Sequence, residues 1–402
     1  MALRELADVL DIPAVSLTGY RKEPDRVEIV VELEANSAVC PECGVRSTRK
    51  HSEKLIPMRD LPCFGRQVYL LLPRRRFKCN HCRKPFTERL SFVDFGTSFT
   101  KRYERYLYDQ CKERSFTAVE KQEGISDTVI AKVYESFATD QMQPRGRPKT
   151  IRVLGIDEIA IKKGHRDYAC VITDIDRKHV IEVLGNRLKS TVSAYLLSLP
   201  ESVRKSIRYV SMDMWEGYYQ AALEALPKNV KIVIDRFHVM KQLNHALTKC
   251  RRELQRGMES KEKRDELKGL RWVLVTNECN LDEEQRVKLQ ELYNNCPELK
   301  TCHKLKEDFR RIFEEETTRT KAKERLDTWK RDVKKTGLKS FDGFLGTLGN
   351  WEEWILNYFS SGKITNGVVE GLNNKIKLIK RRAYGYRNNG NFRQRILVEC
   401  GP

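Results

Sequence analysis

Two apolar runs in the middle of the chain end at aspartates, and this pattern constrains the fold more than any other feature. Residues 151–156 and 207–212 are predicted to be buried strands, and Asp157 and Asp213 follow them directly. A third acid, Glu370, lies in a segment with helical spacing and a basic flank. Carboxylates gathered at strand ends repel one another unless a cation lies between them. Because carboxylate oxygens suit Mg²⁺ or Mn²⁺, the three acids predict a site for two such ions, which can act together on a phosphodiester.

The charge of the chain points to a polyanionic partner. Lys and Arg number 76 against 56 Asp and Glu in 402 residues, which gives a formal net charge of +20. Nucleic acid is the first partner that such an excess predicts, with an anionic membrane as the rival and a basic surface without a specific role as a further alternative. No apolar run of about 20 residues and no signal peptide is visible. We therefore predict an intracellular protein without a membrane segment.

Two C-x-x-C pairs predict a structural zinc site in the first hundred residues. The pairs are Cys40 with Cys43 and Cys79 with Cys82, and Gly44 permits the tight turn that brings two thiolates together. Four thiolates suit one tetrahedral Zn²⁺, and the residues between the pairs can form a small β module. Two incidental cysteine pairs are the alternative. Strands are predicted at 26–33, 66–73 and 74–78.

Residues 98–140 carry a helical pattern with a glycine turn in its middle. A short helix is predicted to end near Gly124, and Ser126 is placed to begin the next one. This pattern is typical of a helix-turn-helix, whose second helix would offer Ser126, Thr128 and Lys132 to the major groove. A plain helical connector is the alternative. The Pro- and Gly-containing linker that follows carries Arg145 and Arg147, which fit a minor-groove arm or a solvated tether.

The remainder of the chain is predicted to be a ribonuclease H-like core with an insertion. Three antiparallel strands followed by alternating helix and strand, up to Asp235, give the layout of that sheet. From about 237 to 358 the pattern is entirely helical, which predicts an all-helical insertion between the second and third acids. Trp329 within it is predicted to pack in the core rather than to stack on a base.

A cluster of cations and aromatic residues follows Glu370. One carboxylate cannot neutralise so many cations, so backbone phosphate is the expected counter-charge, and tyrosines offer stacking surfaces for bases. The predicted DNA-binding residues of this cluster are Lys375, Lys377, Lys380, Arg381, Arg382, Tyr384, Tyr386 and Arg387.

Four motifs together resemble bacterial insertion-sequence transposases of the ISL-three group, which are DDE enzymes. The motifs are Gly-Ile-Asp-Glu at 155–158, Asp-Arg-Phe-His at 235–238, the segment 366–377, and Lys-Arg-Arg-Ala-Tyr-Gly-Tyr at 380–386. The resemblance extends over nearly the whole chain. It implies that Asp157, Asp213 and Glu370 form a catalytic triad that holds two Mg²⁺ or Mn²⁺ ions. It also implies that Asp235 and His238 support the site, although Asp235 competes with Asp213 as the second acid.

The resemblance implies cleavage of double-stranded DNA at transposon ends, followed by strand transfer into target DNA. Both ends must be held together, so a homodimer or larger synaptic complex is expected, at the nucleoid in the bacterial cytoplasm. A catalytically silent DNA-binding regulator and another two-metal nuclease are the alternatives. The expected class is a multidomain α/β protein with a β-rich zinc module. Its predicted divisions are the zinc module at 1–95, the helix-turn-helix at 96–142, a linker at 143–150, the core at 151–240 and 361–402, and the insertion at 241–360.

Overall fold

The computed structural model describes residues 10–142, 148–161, 168–386 and 388–402. It forms two compact units, of which the N-terminal one ends near residue 143 and also takes in residues 382–384. The fold is mixed α/β with a β-rich N-terminal region. Within the described ranges, no helix is both long and apolar enough to cross a membrane.

A twisted sheet forms most of the N-terminal unit. Its strands run in the order β1-β2-β6-β5 with β7 on β6, while β3 and β4 pair separately. The strands predicted at 66–73 and 74–78 are a single strand, because β5 pairs with β6 from Arg66 to Phe77 and carries it through Pro73. The strands are β1 (Val15–Lys22), β2 (Arg26–Leu33), β3 (Ala38–Val39), β4 (Arg46–Ser47), β5 (Lys50–Cys63), β6 (Arg66–Lys78) and β7 (Pro85–Thr87).

Among the described residues, three helices complete this unit: α1 (Lys101–Glu113), α2 (Phe116–Glu123) and α3 (Asp127–Met142). The hydroxyl of Ser115 accepts from the Ala118 amide and caps α2, which ends at Gly124 with φ of 66°. Buried Glu123 then anchors α2, because its carboxylate lies 3.2 Å from the Arg59 guanidinium and accepts a hydrogen bond from the Tyr103 hydroxyl. Helix, glycine turn and helix therefore occur where the sequence pattern predicts them.

A five-stranded sheet organises the C-terminal unit, in the order β10-β9-β8-β11-β12. The pairs β8–β9 and β9–β10 are antiparallel, whereas β11 is parallel to both β8 and β12. The strand predicted to end before Asp157 continues through it to Ala160, because β9 keeps pairing with it as far as Tyr168. The strands are β8 (Val153–Ala160), β9 (Tyr168–Asp174), β10 (His179–Leu184), β11 (Tyr209–Met212) and β12 (Lys231–Ile234).

Helices surround this sheet and make up the long segment after it. From α7 to α13 the described residues contain helices and turns but no strand, as predicted for the insertion. Trp329 is buried there, its ring 4.9 Å from that of Phe309 and its indole N–H donating to the Leu305 carbonyl, so it packs in the core. The helices are α4 (Lys189–Ser198), α5 (Glu201–Ser206), α6 (Glu216–Ala225), α7 (Arg236–Gly257), α8 (Lys261–Gly269), α9 (Arg271–Val275), α10 (Glu283–Asn295), α11 (Pro297–Glu315), α12 (Arg319–Thr336), α13 (Asp342–Ser360), α14 (Gly367–Arg382) and α15 (Asn389–Cys400).

Candidate active site and zinc site

Three aspartates and a histidine meet at one edge of the C-terminal sheet. Asp157 lies on β8, and Asp213 and Asp235 follow the neighbouring strands β11 and β12, whose carboxyl ends share this edge because the three strands are parallel. His238, in the first turn of α7, places Nδ1 3.0 Å from an Asp213 carboxylate oxygen. Its Nε2 is 3.9 Å from Asp157 Oδ1. The sheet therefore gathers the two predicted aspartates and both predicted supporting residues.

The acids and the imidazole shift one another's protonation. Burial raises the pKa of Asp157 and of Asp235 above the usual range. Burial also works to raise the pKa of Asp213, but the hydrogen bond and charge of His238 outweigh it and hold that pKa low. For His238, burial works to lower the pKa, and the hydrogen bond to Asp213 with the three nearby negative charges raises it instead. The carboxylates thus stabilise the protonated form of the imidazole.

Helix α14 brings the third predicted acid to the same edge. The Asn366 backbone N–H, at the start of α14, donates to Asp235 Oδ1 over 3.2 Å. Two turns later the Asn373 side-chain amide donates to Asp157 Oδ2 over 2.9 Å. Glu370 stands four residues after Asn366 and three before Asn373, so all three share one face of the helix. Its exposed side chain lines a cavity together with Asp235.

A glycine allows α14 to approach the sheet this closely. A β-carbon on Gly155 of β8 would lie 2.2 Å from Thr173 Oγ1 and 3.1 Å from side-chain carbons of both Ile175 and Val369. Val369, which precedes Glu370, is fully buried against Val153 and Ile175. The missing side chain at 155 therefore sets the depth at which Glu370 stands over the strand that carries Asp157.

Replacing Gly155 with alanine is expected to destabilise the chain by about 1–3 kcal/mol. It is also expected to lower the DNA cleavage that the sequence resemblance implies, by more than the lost folded fraction explains. The added methyl group must displace either β9 or α14, and displacement of α14 moves Glu370. Thermal unfolding and a cleavage assay on the same preparations measure both effects. Gly185→Ala is the matched control, because a β-carbon there meets nothing within 4 Å. Equal stability and equal cleavage rates of the two variants would contradict the role assigned to Gly155.

The donor set at this edge fits a hard divalent cation. Besides the carboxylates, the side-chain amide of Asn366 and the Asn373 Oδ1 are buried and have no hydrogen-bond partner among the described residues. Buried polar groups are normally hydrogen-bonded, so these atoms indicate a site for water or a ligand. The acids do not form a tight three-ligand cluster, since in the described part of the chain only cysteines bring three ligand atoms within 4.8 Å. Mg²⁺ commonly binds only one or two carboxylates and completes its shell with water and phosphate oxygens, so it does not require a three-carboxylate cluster.

The four predicted cysteines of the N-terminal unit do converge. Their sulfur atoms lie within 4.8 Å of one another, with Cys40 and Cys82 sulfurs 3.7 Å apart and Cys43 and Cys79 sulfurs 3.5 Å apart. A tetrahedral ion with Zn–S bonds of about 2.3 Å requires sulfur separations of about 3.8 Å. Gly44 has φ of 73°, as the turn after Cys43 requires. The geometry therefore matches one structural Zn²⁺.

The predicted helix-turn-helix contacts lie on an accessible surface. Ser126, Thr128 and Lys132 are all exposed near the start of α3, where the Ser126 carbonyl accepts the first helical hydrogen bonds. Arg145, Arg147 and Arg387 lie outside the described residues.

The structure separates the C-terminal cations and tyrosines into exposed and engaged groups. Lys377, Arg381 and Tyr384 are exposed. Others are used internally: Lys375 donates to the Glu399 carbonyl, Lys380 donates to the Ala160 carbonyl over 2.9 Å, Arg382 donates to the Lys112 carbonyl, and Tyr386 packs on Phe392.

Sequence reasoning gave Asn366 only the role of capping the helix and gave Asn373 no role, although both stand in the motif that carries Glu370. The available signal was their spacing of four and three residues from that acid, which places amides and carboxylate on one helical face.

A sheet edge that gathers carboxylates, joined in the chain to a four-cysteine zinc site and a strongly basic composition, defines a DNA-processing enzyme. Residues 154–396 match a DDE family of the ISL3 type described as Transposase, and residues 36–82 match the zinc-finger of transposase IS204/IS1001/IS1096/IS1165. The chain therefore belongs to the ISL3 family of insertion-sequence transposases, as the sequence motifs predict.

Individual relatives agree over nearly the full length. The transposase for insertion sequence element IS1001 of Bordetella parapertussis is 28% identical over 381 residues, which cover 94% of this chain and 93% of the relative. The transposase for insertion sequence element IS1557 of Mycobacterium tuberculosis is 24% identical over 391 residues, which cover 90% and 86% of the two chains. The similarity thus includes both the cysteine region and the acids.

Proposed function

We propose that the chain cuts the ends of an insertion sequence and joins them to target DNA, with Asp157, Asp213 and Glu370 as the acids that hold two Mg²⁺ or Mn²⁺ ions. The observation that carries this proposal is the hydrogen bond from Asn373 to Asp157, which fixes the helix of Glu370 over the strand of the first acid. When bound, the ions supply Lewis-acid stabilisation of the reacting phosphodiester and activation of the attacking oxygen.

The surrounding residues position the acids. His238 holds the Asp213 carboxylate through its Nδ1, while the Asn373 amide and the Glu158 backbone N–H each donate to one oxygen of Asp157. Asp235 accepts the Asn366 N–H, so it anchors the start of α14. We assign Asp235 this anchoring role and Asp213 the role of second acid, because Asp213 is the more accessible of the two.

The order of strands supports a ribonuclease H-like core. Three antiparallel strands are extended by two strands parallel to the first, with acids on the first strand and after the fourth. We further propose that α2 and α3 form a helix-turn-helix that reads the terminal inverted repeats through Ser126, Thr128 and Lys132. Lys377, Arg381 and Tyr384 are free to contact the DNA backbone and bases.

The proposed reaction needs two ends in one complex. We therefore propose a homodimer or larger assembly that holds both transposon ends, acting on DNA at the bacterial nucleoid. The basic composition favours such an assembly only when DNA is present, because protomers of charge +20 repel one another without a polyanion.

The test is cleavage of a linear DNA that carries both native ends with their flanks, by the purified chain with Mg²⁺. We expect a strand break at the junction that leaves a 3′-hydroxyl, and a loss of roughly 10²–10³-fold in rate for Glu370→Gln. Glu399→Gln is the control, since its carboxylate lies on α15, where it pairs with Arg395.

Three results would change the assignment. Binding of the end without any break in wild type would support a silent regulator. Equal cutting of DNA with and without the end would support a nuclease that does not recognise ends. A full rate for Glu370→Gln would remove Glu370 from the proposed triad.

A further inference from the structure

A long cavity leads from the acids into the helical segment. Asp235 and Glu370 line one end of it, and its volume is about 730 Å³. Side chains of α7 that recur every three to five residues, from Phe237 and Lys241 to Arg252, line its floor. These positions share one face of the helix, which spans about 25 Å from residue 235 to 252.

A second cavity continues the first. Its volume is about 740 Å³, and Arg252 and Arg271 line both cavities. Lys268 and Trp272 stand beyond these shared arginines. We call the surface formed by Phe237, Lys241, Arg252, Arg271, Lys268 and Trp272 the basic track.

The cations of the basic track are available for a ligand. Lys241, Arg252 and Arg271 are exposed, and none of them forms an ion pair with another described residue. By contrast, Arg310 on the same cavity wall is neutralised by Glu307 and Glu314. Burial is the main cause that lowers the pKa of Arg251, and the charges of Arg252 and Arg271 lower it further. These two arginines therefore repel their buried neighbour. The positive potential of the basic track therefore favours binding of an anion.

Two aromatic side chains stand exposed along the basic track. Trp272 is 68% exposed and Phe237 is 51% exposed, whereas most described aromatic residues of this unit are buried or partly buried. The Arg271 guanidinium lies 5.0 Å from the centre of the Trp272 ring. Cations interleaved with exposed ring faces are the arrangement that binds single strands, because paired bases inside a duplex offer no free face.

We propose that the basic track binds an unpaired DNA strand of about seven nucleotides that leads away from the catalytic acids, at a rise of about 3.4 Å per nucleotide. This inference rests on the proposed function for the origin of the strand. The concave floor argues for a single strand, since duplex is read by elements that protrude into its grooves. The function of the helical insertion in this proposal is to hold the unpaired DNA strand apart from its complement near the cut.

The experiment measures how the full chain binds a fluorescein-labelled oligothymidine of twenty nucleotides, by fluorescence anisotropy. The buffer contains no divalent ions, so that no cleavage can occur. Trp272→Ala is expected to weaken binding about 5- to 100-fold, the range for loss of one stacked base. The double variant Arg252→Ala with Arg271→Ala is expected to reduce the salt slope by about 1.4, which corresponds to two released phosphate contacts.

Two controls make the outcome decisive. Arg331→Ala removes an exposed arginine of α12 that lines neither cavity, and it is expected to leave the affinity within about twofold. A twenty-base-pair duplex is expected to bind wild type and Trp272→Ala equally. Unchanged oligothymidine binding by Trp272→Ala, or an equal loss on the duplex, would overturn the proposal. Because no cleavage is needed, failure of end cutting by wild type would sink the proposed function and leave this measurement intact.

Discussion

Replacing Asp157 with alanine is expected to lower excision of the insertion sequence from a donor plasmid by roughly 10³-fold or more. Asp157 is the most central of the acids, since it lies on the middle strand of the sheet and accepts hydrogen bonds from both Asn373 and Glu158. The substitution removes a proposed metal ligand and also leaves the Asn373 amide without its acceptor. Quantitative amplification across the emptied donor site measures the loss.

The matched control for this experiment is Asp176→Ala. Asp176 is an exposed aspartate of the same unit, in the turn between β9 and β10, and its ion pair with Arg152 is solvent-exposed and contributes little to stability. The Asp157→Ala protein should still bind the transposon end, because the proposed reading helix lies in the other unit. Undiminished excision by Asp157→Ala would remove this residue from the active site, and loss of end binding would point to misfolding instead.

Removing the zinc is expected to unfold the cysteine module and nothing else in the N-terminal sheet. The small core of this module consists of Ala38, Phe77 and Phe86 with the four cysteines themselves, so without the metal little apolar surface remains to hold it. Structural Zn²⁺ supplies roughly 10–16 kcal/mol in comparable sites. The main sheet has a separate core that includes Val31, Met58 and Leu70.

We expect Cys79→Ser to lose the single bound zinc and to exchange its amides at 38–47 and 79–87 at least about 10²-fold faster than wild type. Zinc release by a colorimetric chelator and hydrogen exchange measured by mass spectrometry give the two readouts. Cys63→Ser is the control, since Cys63 is exposed and lies outside the four-sulfur cluster. Retention of a full equivalent of zinc by Cys79→Ser would show that the metal is held elsewhere.

The sequence was sufficient to locate Asp213 and Asp235, because each follows a short apolar strand buried on both faces. It also located Asp157 but misplaced the end of its strand, because pairing with β9 carries the strand four residues past the apolar run that ends at Ile156. The single strand β6 was misjudged for a related reason. Pairing with β5 overrides the break that Pro73 and three successive arginines suggested.

The hydrophobic periodicity of the sequence does not predict the basic track. Arg252 and Trp272 look like ordinary surface residues of two different helices. Only the packing of α9 on α7 places them beside two cavities that share Arg252 and Arg271, of which the first is also lined by Glu370. Conversely, the helical pattern alone sufficed to place Trp329 in the core. The helix-turn-helix and ribonuclease H-like assignments stay predictions, supported by the order of the helices and strands.

The hydrogen bond between Asp157 and Asn373 joins residues that are 216 positions apart. At about 5–20 residues per second, a ribosome needs on the order of 10–40 s to travel from one to the other. By the end of that interval the nascent chain carries its cysteine module, Asp157 and Asp213, yet throughout it lacks the complete helix that carries Glu370. With Glu370 as the proposed third acid, the proposed cutting of DNA therefore becomes possible only after this helix has been made.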